Sequence, residues 1–169
     1  HHGNLYISFI FSAPVRDARL SYAIAVAVAE TIASFGVRPQ IKWPNDIVMN
    51  GKKVCGILTE MALEQTTIDY VVIGVGINVN QSIFDTEIAT IATSIALELG
   101  RKITRTELIG RILHYFEKEY AEFAKTYDLG SLMERYNGYL LNRDTQVRVL
   151  DPKGEYEGFA LGINSQGEL

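Results

Sequence analysis

The sequence has little cysteine and no long apolar run. Its one cysteine, Cys55, cannot form an internal disulfide. This fits a reducing compartment, so we predict a cytoplasmic protein. The longest apolar candidate, YAIAVAVAETIASF at 22–35, contains Glu30 and is followed by Gly36, and it is shorter than the roughly 18 residues that a membrane-spanning helix needs. We therefore expect no membrane segment.

Positive charge and common ligand-binding motifs are also scarce. The net charge of −4 gives no overall basic surface for nucleic acid, so any anion site must be local. There is no Gly-x-x-x-x-Gly-Lys-Ser/Thr loop, and GVGIN lacks the third glycine of a dinucleotide fingerprint because position 79 is Val79. Metal-binding Cys/His spacing and a Gly-x-Ser-x-Gly elbow are absent too. A P-loop, a common dinucleotide fold and a metal held by a protein cluster are therefore disfavoured.

The sequence does contain a series of strands followed by helices. Its 169 residues suffice for one domain with a core, or for one domain plus a fragment. Strands are predicted at 4–12, 40–43, 46–49, 52–62 and 68–79, with Asn50-Gly51 as a hairpin turn. Helices are predicted between Asp17 as N-cap and Gly36, at 87–99, from Thr104 to about 127 with a capping box to Glu107, and at about 129–140. The unbroken Val-Val-Ile run at 71–73 predicts a strand that is buried on both faces.

The pattern changes after Leu141. The remaining residues read as strand, turn and strand, with Pro152 and Gly154 in the turn, and they resemble the start of a small β domain. Two or three strands cannot form an independent barrel. We therefore expect the native protein to continue beyond this segment.

Several glycines and lysines are candidates for a binding site. Gly74 and Gly76 let a ligand approach the backbone of a strand closely, although a bulge or tight packing would explain them equally well. Lys52 and Lys53 point to opposite faces of a hairpin strand, and parity alone does not decide which one faces inward. The inward lysine would be a cation for a carboxylate or phosphate; the alternative is a solvated edge pair.

Polar residues at two strand ends complete the candidate set. Asn45 and Asp46 follow Pro44 at a rigid corner, where amide and carboxylate groups can meet a phosphate, a ligand N–H or a cation. Asn78 and Asn80 are unfavourable in a strand and indicate a ligand or turn role. Capped turns explain both pairs without a ligand. Taken together, the residues predict a site for an elongated ligand with a small anionic group.

The order and spacing of these motifs resemble the central part of the biotin protein ligases. The matching stretches are KWPND at 42–46, KVCGILTE at 53–60 and GVGINVN at 74–80, with GNLYISF at 3–9 similar to the strand after the family's nucleotide loop. The resemblance implies an α+β fold related to class II aminoacyl-tRNA synthetases, with a mixed β-sheet flanked by helices. It implies a catalytic core at 1–141, without its N-terminal part, and the start of a C-terminal SH3-like domain at 142–169.

The resemblance also implies an activity. Such enzymes activate biotin with ATP and Mg²⁺ to biotinyl-5′-adenylate, then transfer biotin to a lysine of a biotin carboxyl carrier protein domain. Two alternatives stay open: a lipoate-type protein ligase, which is a relative with a similar core, and, from a different class, a non-catalytic regulator that binds biotin or its adenylate. An interaction domain with a purely structural polar corner is a third.

Residue roles follow from the matched motifs. Lys53 is expected to bind the biotin carboxylate and the adenylate phosphate, and Asp46 to steer or deprotonate the carrier lysine. The expected biotin-binding residues are Lys53, Gly56, Gly74, Gly76 and Tyr6, and the expected nucleotide-binding residues are Asn45, Asn78 and Lys53. Mg²⁺ is expected to arrive with ATP, near Asn45.

One family feature is missing from the sequence. The glycine- and arginine-rich loop should precede Gly3, so we expect an incomplete active site in these residues. Sheet-edge homodimers are common in the family, so the resemblance leaves a homodimer possible, and no residue of the sequence decides the oligomeric state.

Overall fold

The computed structural model describes residues 3–151 and 153–169, which form a five-stranded sheet, four helices and a separate two-stranded sheet. The five strands are β1 (Asn4–Phe11), β2 (Gln40–Lys42), β3 (Asp46–Met49), β4 (Lys52–Glu64) and β5 (Thr67–Asn78). The helices are α1 (Leu20–Ala33), α2 (Ile95–Leu99), α3 (Arg105–Thr126) and α4 (Gly130–Tyr139). The two-stranded sheet consists of β6 (Thr145–Asp151) and β7 (Gly154–Ala160). None of the described helices is long and apolar enough to cross a membrane.

The larger sheet has the strand order β1-β5-β4-β3-β2, and all its strand pairings are antiparallel. Short turns join β3 to β4 and β4 to β5, and strands joined by such turns must run in opposite directions. The predicted Asn50-Gly51 turn is present, with φ of 49° and 76°. Within the described residues, the parallel part of the predicted mixed sheet is limited to two isolated bridges, Ile41 with Leu140 and Lys53 with Ala92.

One face of the sheet packs on the helices and the other is open. Val71, Ile73, Val75 and Ile77 of β5 are buried in the core shared with α1 and α3. The alternate residues of β5 face the other side and are only partly buried, so the predicted burial on both faces is wrong. Large apolar side chains remain exposed on this open face: Tyr6 (71%), Ile10 (70%) and Leu58 (62%).

Two helix starts differ from the predictions, and a third helix starts as predicted but lacks its predicted side-chain cap. The first helix begins at Leu20 rather than directly after Asp17, because the residues before it form a turn with i→i+3 hydrogen bonds, such as the Leu20 N–H to the Asp17 carbonyl at 3.1 Å. Thr104 lies at the N-cap of α3, but its side chain makes no capping hydrogen bond. Residues 87–94 are not helical; Ser94 caps the short α2 instead, its Oγ accepting from the backbone N–H of Leu97 at 3.2 Å.

The C-terminal hairpin forms as predicted, with β6 and β7 antiparallel in register from Thr145 opposite Ala160. Pro152 in the predicted turn lies outside the described residues. After β7 the chain returns to the larger sheet and its helices, where Ile163 and Gly167 are buried.

Candidate functional site

A row of four directly paired residues crosses the open face of the larger sheet. Tyr6 of β1 pairs with Gly76 of β5, Gly76 with Gly56 of β4, and Gly56 with Asp46 of β3. Directly opposite residues of a sheet share a face, and neighbouring strands lie about 4.8 Å apart. Two bare glycines therefore separate a tyrosine from a carboxylate by about 14 Å along a shallow trough. Such a trough fits an elongated ligand.

A β-bulge aims Lys53 at this trough. Ile47 pairs with Cys55, but the next residue, Val48, pairs with Lys53, so Val54 is an extra residue in β4. Val54 and Cys55 are both buried, which strict alternation would not allow. By parity Lys53 and Gly56 would lie on opposite faces; the bulge brings the Lys53 side chain onto the face of Gly56.

The Lys53 ammonium lies over Gly56 and next to Asp46. A Cβ added to Gly56 would be 3.0 Å from both Cε and Nζ of Lys53. The Nζ of Lys53 is 2.6 Å from Oδ1 of Asp46, with the two side chains 50% and 25% exposed. The contact is an ion pair, and Oδ1 of Asp46 accepts no hydrogen bond from the described residues. A cation is thus fixed at the end of the trough, while half of its side chain is accessible to a ligand.

A cavity of about 250 Å³ adjoins this cation. Four of the predicted site residues line it: Lys53, Gly56, Gly76 and Asn78. Its remaining walls are Val54, Cys55, Ile88, Ile91 and Ala92. The loop at 81–94 contributes the last three because it pairs with the start of β4: the N–H of Lys53 donates to the carbonyl of Ile91 at 2.8 Å, and the N–H of Thr93 to the carbonyl of Lys53 at 2.9 Å.

The sequence interpretation missed these loop residues. Ile88 and Ile91 lie in the segment that was predicted as a helix at 87–99, whereas both line the cavity. Ser94, a good N-cap residue followed by IALEL, was the signal that the helix begins later.

The predicted asparagines have different positions. Asn78 lines the cavity, and its amide donates to the carbonyl of Thr93 at 3.0 Å. Asn45 is exposed beside Asp46, and its amide donates to the carbonyl of Ile57 at 3.0 Å, which joins the corner to β4. Asn80 makes hydrogen bonds to the backbone N–H and carbonyl of Ile103, so its role is structural.

The two remaining predicted residues lie outside the cavity: Tyr6 at one end of the trough, and Gly74 beside the trough, where it pairs with Ser8 and Leu58. The Tyr6 ring covers Gly76, with ring atoms 3.4 and 3.5 Å from an added Cβ. Around Gly74 the space is open: an added Cβ would meet only the carbonyl oxygen of Leu58, at 3.9 Å.

The described site residues provide neither a reactive thiol nor a cluster of metal ligands. Burial raises the pKa of the Cys55 thiol, the Asp46 charge raises it further and the Lys53 charge only partly opposes this, so Cys55 is an inert thiol. Among the side chains that the structure describes, no three His, Cys, Asp or Glu side chains come together as a metal site.

The chain is similar in sequence to known proteins. Residues 1–78 match the Biotin/lipoate A/B protein ligase family. The chain is 42% identical over 157 residues to the bifunctional ligase/repressor BirA of Bacillus spizizenii, covering 91% of the chain and 48% of that protein. It is 33% identical over 156 residues to the biotin–[acetyl-CoA-carboxylase] ligase of Mycobacterium tuberculosis, covering 89% and 55%. The chain thus spans about half the length of these curated relatives.

A solved structure shares the fold. The biotin protein ligase of Aquifex aeolicus in complex with biotin and ATP superposes with a TM-score of 0.84 at 26% identity, covering 98% of this chain and 69% of that one. Residues 1–78 therefore form a domain of the Biotin/lipoate A/B protein ligase family, and relatives named as biotin ligases match the chain over 91% and 89% of its length.

Proposed function

We propose that this protein is a biotin–protein ligase. It activates biotin with ATP to biotinyl-5′-adenylate and pyrophosphate, then transfers the biotinyl group to a lysine of a biotin carboxyl carrier protein domain. The observation that carries the proposal is the Lys53 ammonium, fixed over Gly56 beside a glycine-lined trough and cavity. The names of the relatives, and the biotin and ATP in the Aquifex aeolicus structure, support the choice of substrates.

Lys53 supplies charge where two anions meet. In the first step a carboxylate oxygen of biotin attacks the α-phosphorus of ATP, and the bond from that phosphorus to the pyrophosphate oxygen breaks. Both reactants are negative, and a preorganised cation lowers their repulsion and stabilises the charge that develops. The ion pair with Asp46 keeps the ammonium at this point before the substrates bind.

The other residues have roles that match their positions. Gly56, Gly74, Gly76 and Tyr6 form the wall along which biotin lies, because the trough runs between Tyr6 and Asp46. Asn45 and Asn78 flank the cation and bind the phosphates. Asp46 then steers or deprotonates the incoming carrier lysine, since its carboxylate borders the same trough.

Magnesium fits this site only as a companion of ATP. The described residues hold no cluster of three ligands, and Mg²⁺ is commonly bound by substrate phosphates with one or two protein oxygens. The amide oxygen of Asn45, which accepts no hydrogen bond within the described part of the chain, is the protein ligand that we assign. The ion supplies charge neutralisation at the phosphates.

The finer predictions on architecture and partners fit the same proposal. An antiparallel sheet with helices on one face supports a class II synthetase-like core at 1–141, and the separate β6–β7 sheet supports an SH3-like start at 142–169. A carrier-domain partner, a sheet-edge homodimer, the absence of nucleic-acid binding by this chain and a cytoplasmic location stay predictions.

The test is carrier labelling by the full-length protein. Biotin, ATP, Mg²⁺ and a carrier domain are incubated with it, and mass spectrometry measures the gain of one biotinyl group. We expect Lys53→Ala to slow labelling by about 10² to 10³-fold, as for loss of one preorganised charge donor. The matched control is Lys52→Ala, whose ammonium lies 3.5 Å from the carbonyl of Ala89 on the exposed surface; it should label at the normal rate.

The Tm of Lys53→Ala distinguishes a loss of catalysis from a loss of folding. The Lys53–Asp46 pair is half exposed, so its loss costs at most about 1 kcal/mol, or roughly 2–4 °C in Tm. Labelling by Lys53→Ala at the normal rate would contradict the role of Lys53. Attachment of lipoate instead of biotin, or binding of biotin without labelling, would replace the proposed function by one of the two alternatives.

A further inference from the structure

The buried carbonyl of Gly167 joins the C-terminal segment to the corner that contains Asp46. It accepts a hydrogen bond from the Tyr22 hydroxyl at 2.7 Å and another from the indole N–H of Trp43 at 3.2 Å. Tyr22 belongs to α1, and Trp43 lies between β2 and β3, two residues before Asn45. One backbone oxygen therefore connects a helix, the C-terminal segment and the strand corner.

Trp43 has a second attachment to the same segment. Its backbone N–H donates to the side-chain oxygen of Asn142 at 3.2 Å. Both N–H groups of Trp43 thus donate hydrogen bonds to residues 142–169 and not to the larger sheet. The corner is therefore held from two sides: Asn45 exchanges hydrogen bonds with Ile57 of β4, and Trp43 donates to residues 142–169.

The loop that presents Gly167 is itself well defined. The side-chain oxygen of Asn164 accepts from the backbone N–H groups of Gln166 and Glu168 at 2.9 and 3.1 Å. Gly167 has φ of +89°, and a Cβ there would lie 2.6 to 2.7 Å from ring and hydroxyl atoms of Tyr22. Both the backbone conformation and the contact with Tyr22 require glycine.

We infer that Gly167 is a positioning residue for the proposed reaction: through Trp43 its carbonyl fixes the corner carrying Asn45 and Asp46, and through Asp46 the ammonium of Lys53. This inference rests on the proposed function. The C-terminal segment then takes part in catalysis without touching substrate.

The test compares two glycines with equal backbone strain. Gly167→Ala moves the carbonyl away from Trp43, whereas Gly36→Ala imposes the same strain at φ +98° with nothing within 4 Å of the new Cβ. A second pair removes single hydroxyls. Tyr22→Phe loses one bond to Gly167, whereas Tyr136→Phe, with its ring 5.1 Å from Tyr22, loses a buried hydroxyl that has no partner in the described residues.

Two measurements separate positioning from mere stability. Trp43 is the sole tryptophan of the sequence, so its fluorescence and its indole N–H resonance report this contact in the 169-residue chain. We expect both signals to change in Gly167→Ala and Tyr22→Phe, and neither to change in the two controls. In the full-length protein, kcat for carrier labelling should fall by up to about 10²-fold in Gly167→Ala, as for a misplaced reacting group, with KM for biotin nearly constant. In Tyr22→Phe, kcat should also fall, but by a smaller factor.

Different outcomes would contradict the proposed function and the positioning role of Gly167. If the unmodified protein does not label the carrier, the proposed function fails. If it labels normally but Gly167→Ala and Gly36→Ala lose equal activity, or the Trp43 signals do not change, Gly167 has no positioning role.

Discussion

Replacing Gly56 by alanine tests the trough most directly, because stability and ligand binding should respond differently. Gly56 does not have a positive φ, so the backbone of β4 accepts alanine without strain. The new Cβ would meet Cε and Nζ of Lys53 at 3.0 Å. These atoms are the far end of a flexible side chain and can move aside. The change therefore displaces the cation and fills the bare backbone at the same time.

The net effect on stability should be small. Alanine in a strand interior is favoured over glycine by about 0.5–1 kcal/mol. Moving Lys53 away from Asp46 costs at most about 1 kcal/mol for this half-exposed pair. The two contributions offset each other, and Tm should stay within roughly 2–4 °C of the unmodified protein.

Biotin binding should weaken much more. A methyl group inserted where a ligand packs on the backbone costs about 1–3 kcal/mol, which corresponds to roughly 5- to 150-fold in Kd. Isothermal titration with biotin measures the affinity, and thermal denaturation measures the stability. Gly158→Ala is the matched control, because Gly158 lies in β7 with nothing within 4 Å of an added Cβ.

Two results would refute the reasoning. Unchanged biotin affinity in Gly56→Ala would mean that the open face of the sheet is not the ligand face. A loss of Tm far beyond that of Gly158→Ala would mean that Gly56 is required for packing.

Two further predictions concern titration and thiol chemistry. Although burial raises the pKa of Asp17, hydrogen bonds and charge from Arg19 outweigh this and lower it below 3.8. Its contribution to stability is therefore present above that value and lost as pH falls through the lower folded-state pKa; urea unfolding against pH should show this difference between the unmodified protein and Asp17→Asn, and a pH-independent difference would contradict it. Cys55 is 1% exposed and burial raises the pKa of its thiol, so a thiol reagent at pH 8 should label it only as the chain unfolds; labelling at the rate of a free thiol would show that the strand opens locally.

Local sequence signals predicted most strands and helices well. Asn50-Gly51 between apolar runs predicted the β3–β4 hairpin, since few residue pairs adopt positive φ at two successive positions. The long amphipathic helix α3 was predicted from its apolar face. The segment at 87–94 was wrong because its isoleucines have helical spacing, yet they contact the start of β4 and the cavity. Spacing reports that residues share a face, and it does not report which partner covers them.

For the candidate site, the motifs predicted the residues and the fold determined their arrangement. Lys53, Gly56, Gly76 and Asn78 came from the motif match, and all four line one cavity. That Lys53 and not Lys52 faces the trough follows from the bulge at Val54, which alternation along the strand cannot predict. The contacts of Gly167 with Trp43 and Tyr22 had no sequence signal, because they join residues 124 and 145 positions apart.

The sequence by itself determined which side chains and which bare backbone are available, because charge, the lack of a Cβ and turn preferences belong to single residues or close neighbours. Only the tertiary structure decided that one lysine lies over a glycine row, that a loop closes the cavity beside it and that a distant carbonyl fixes the corner. These are contacts between segments far apart in the chain, and they form only when the strands are paired and the core is packed.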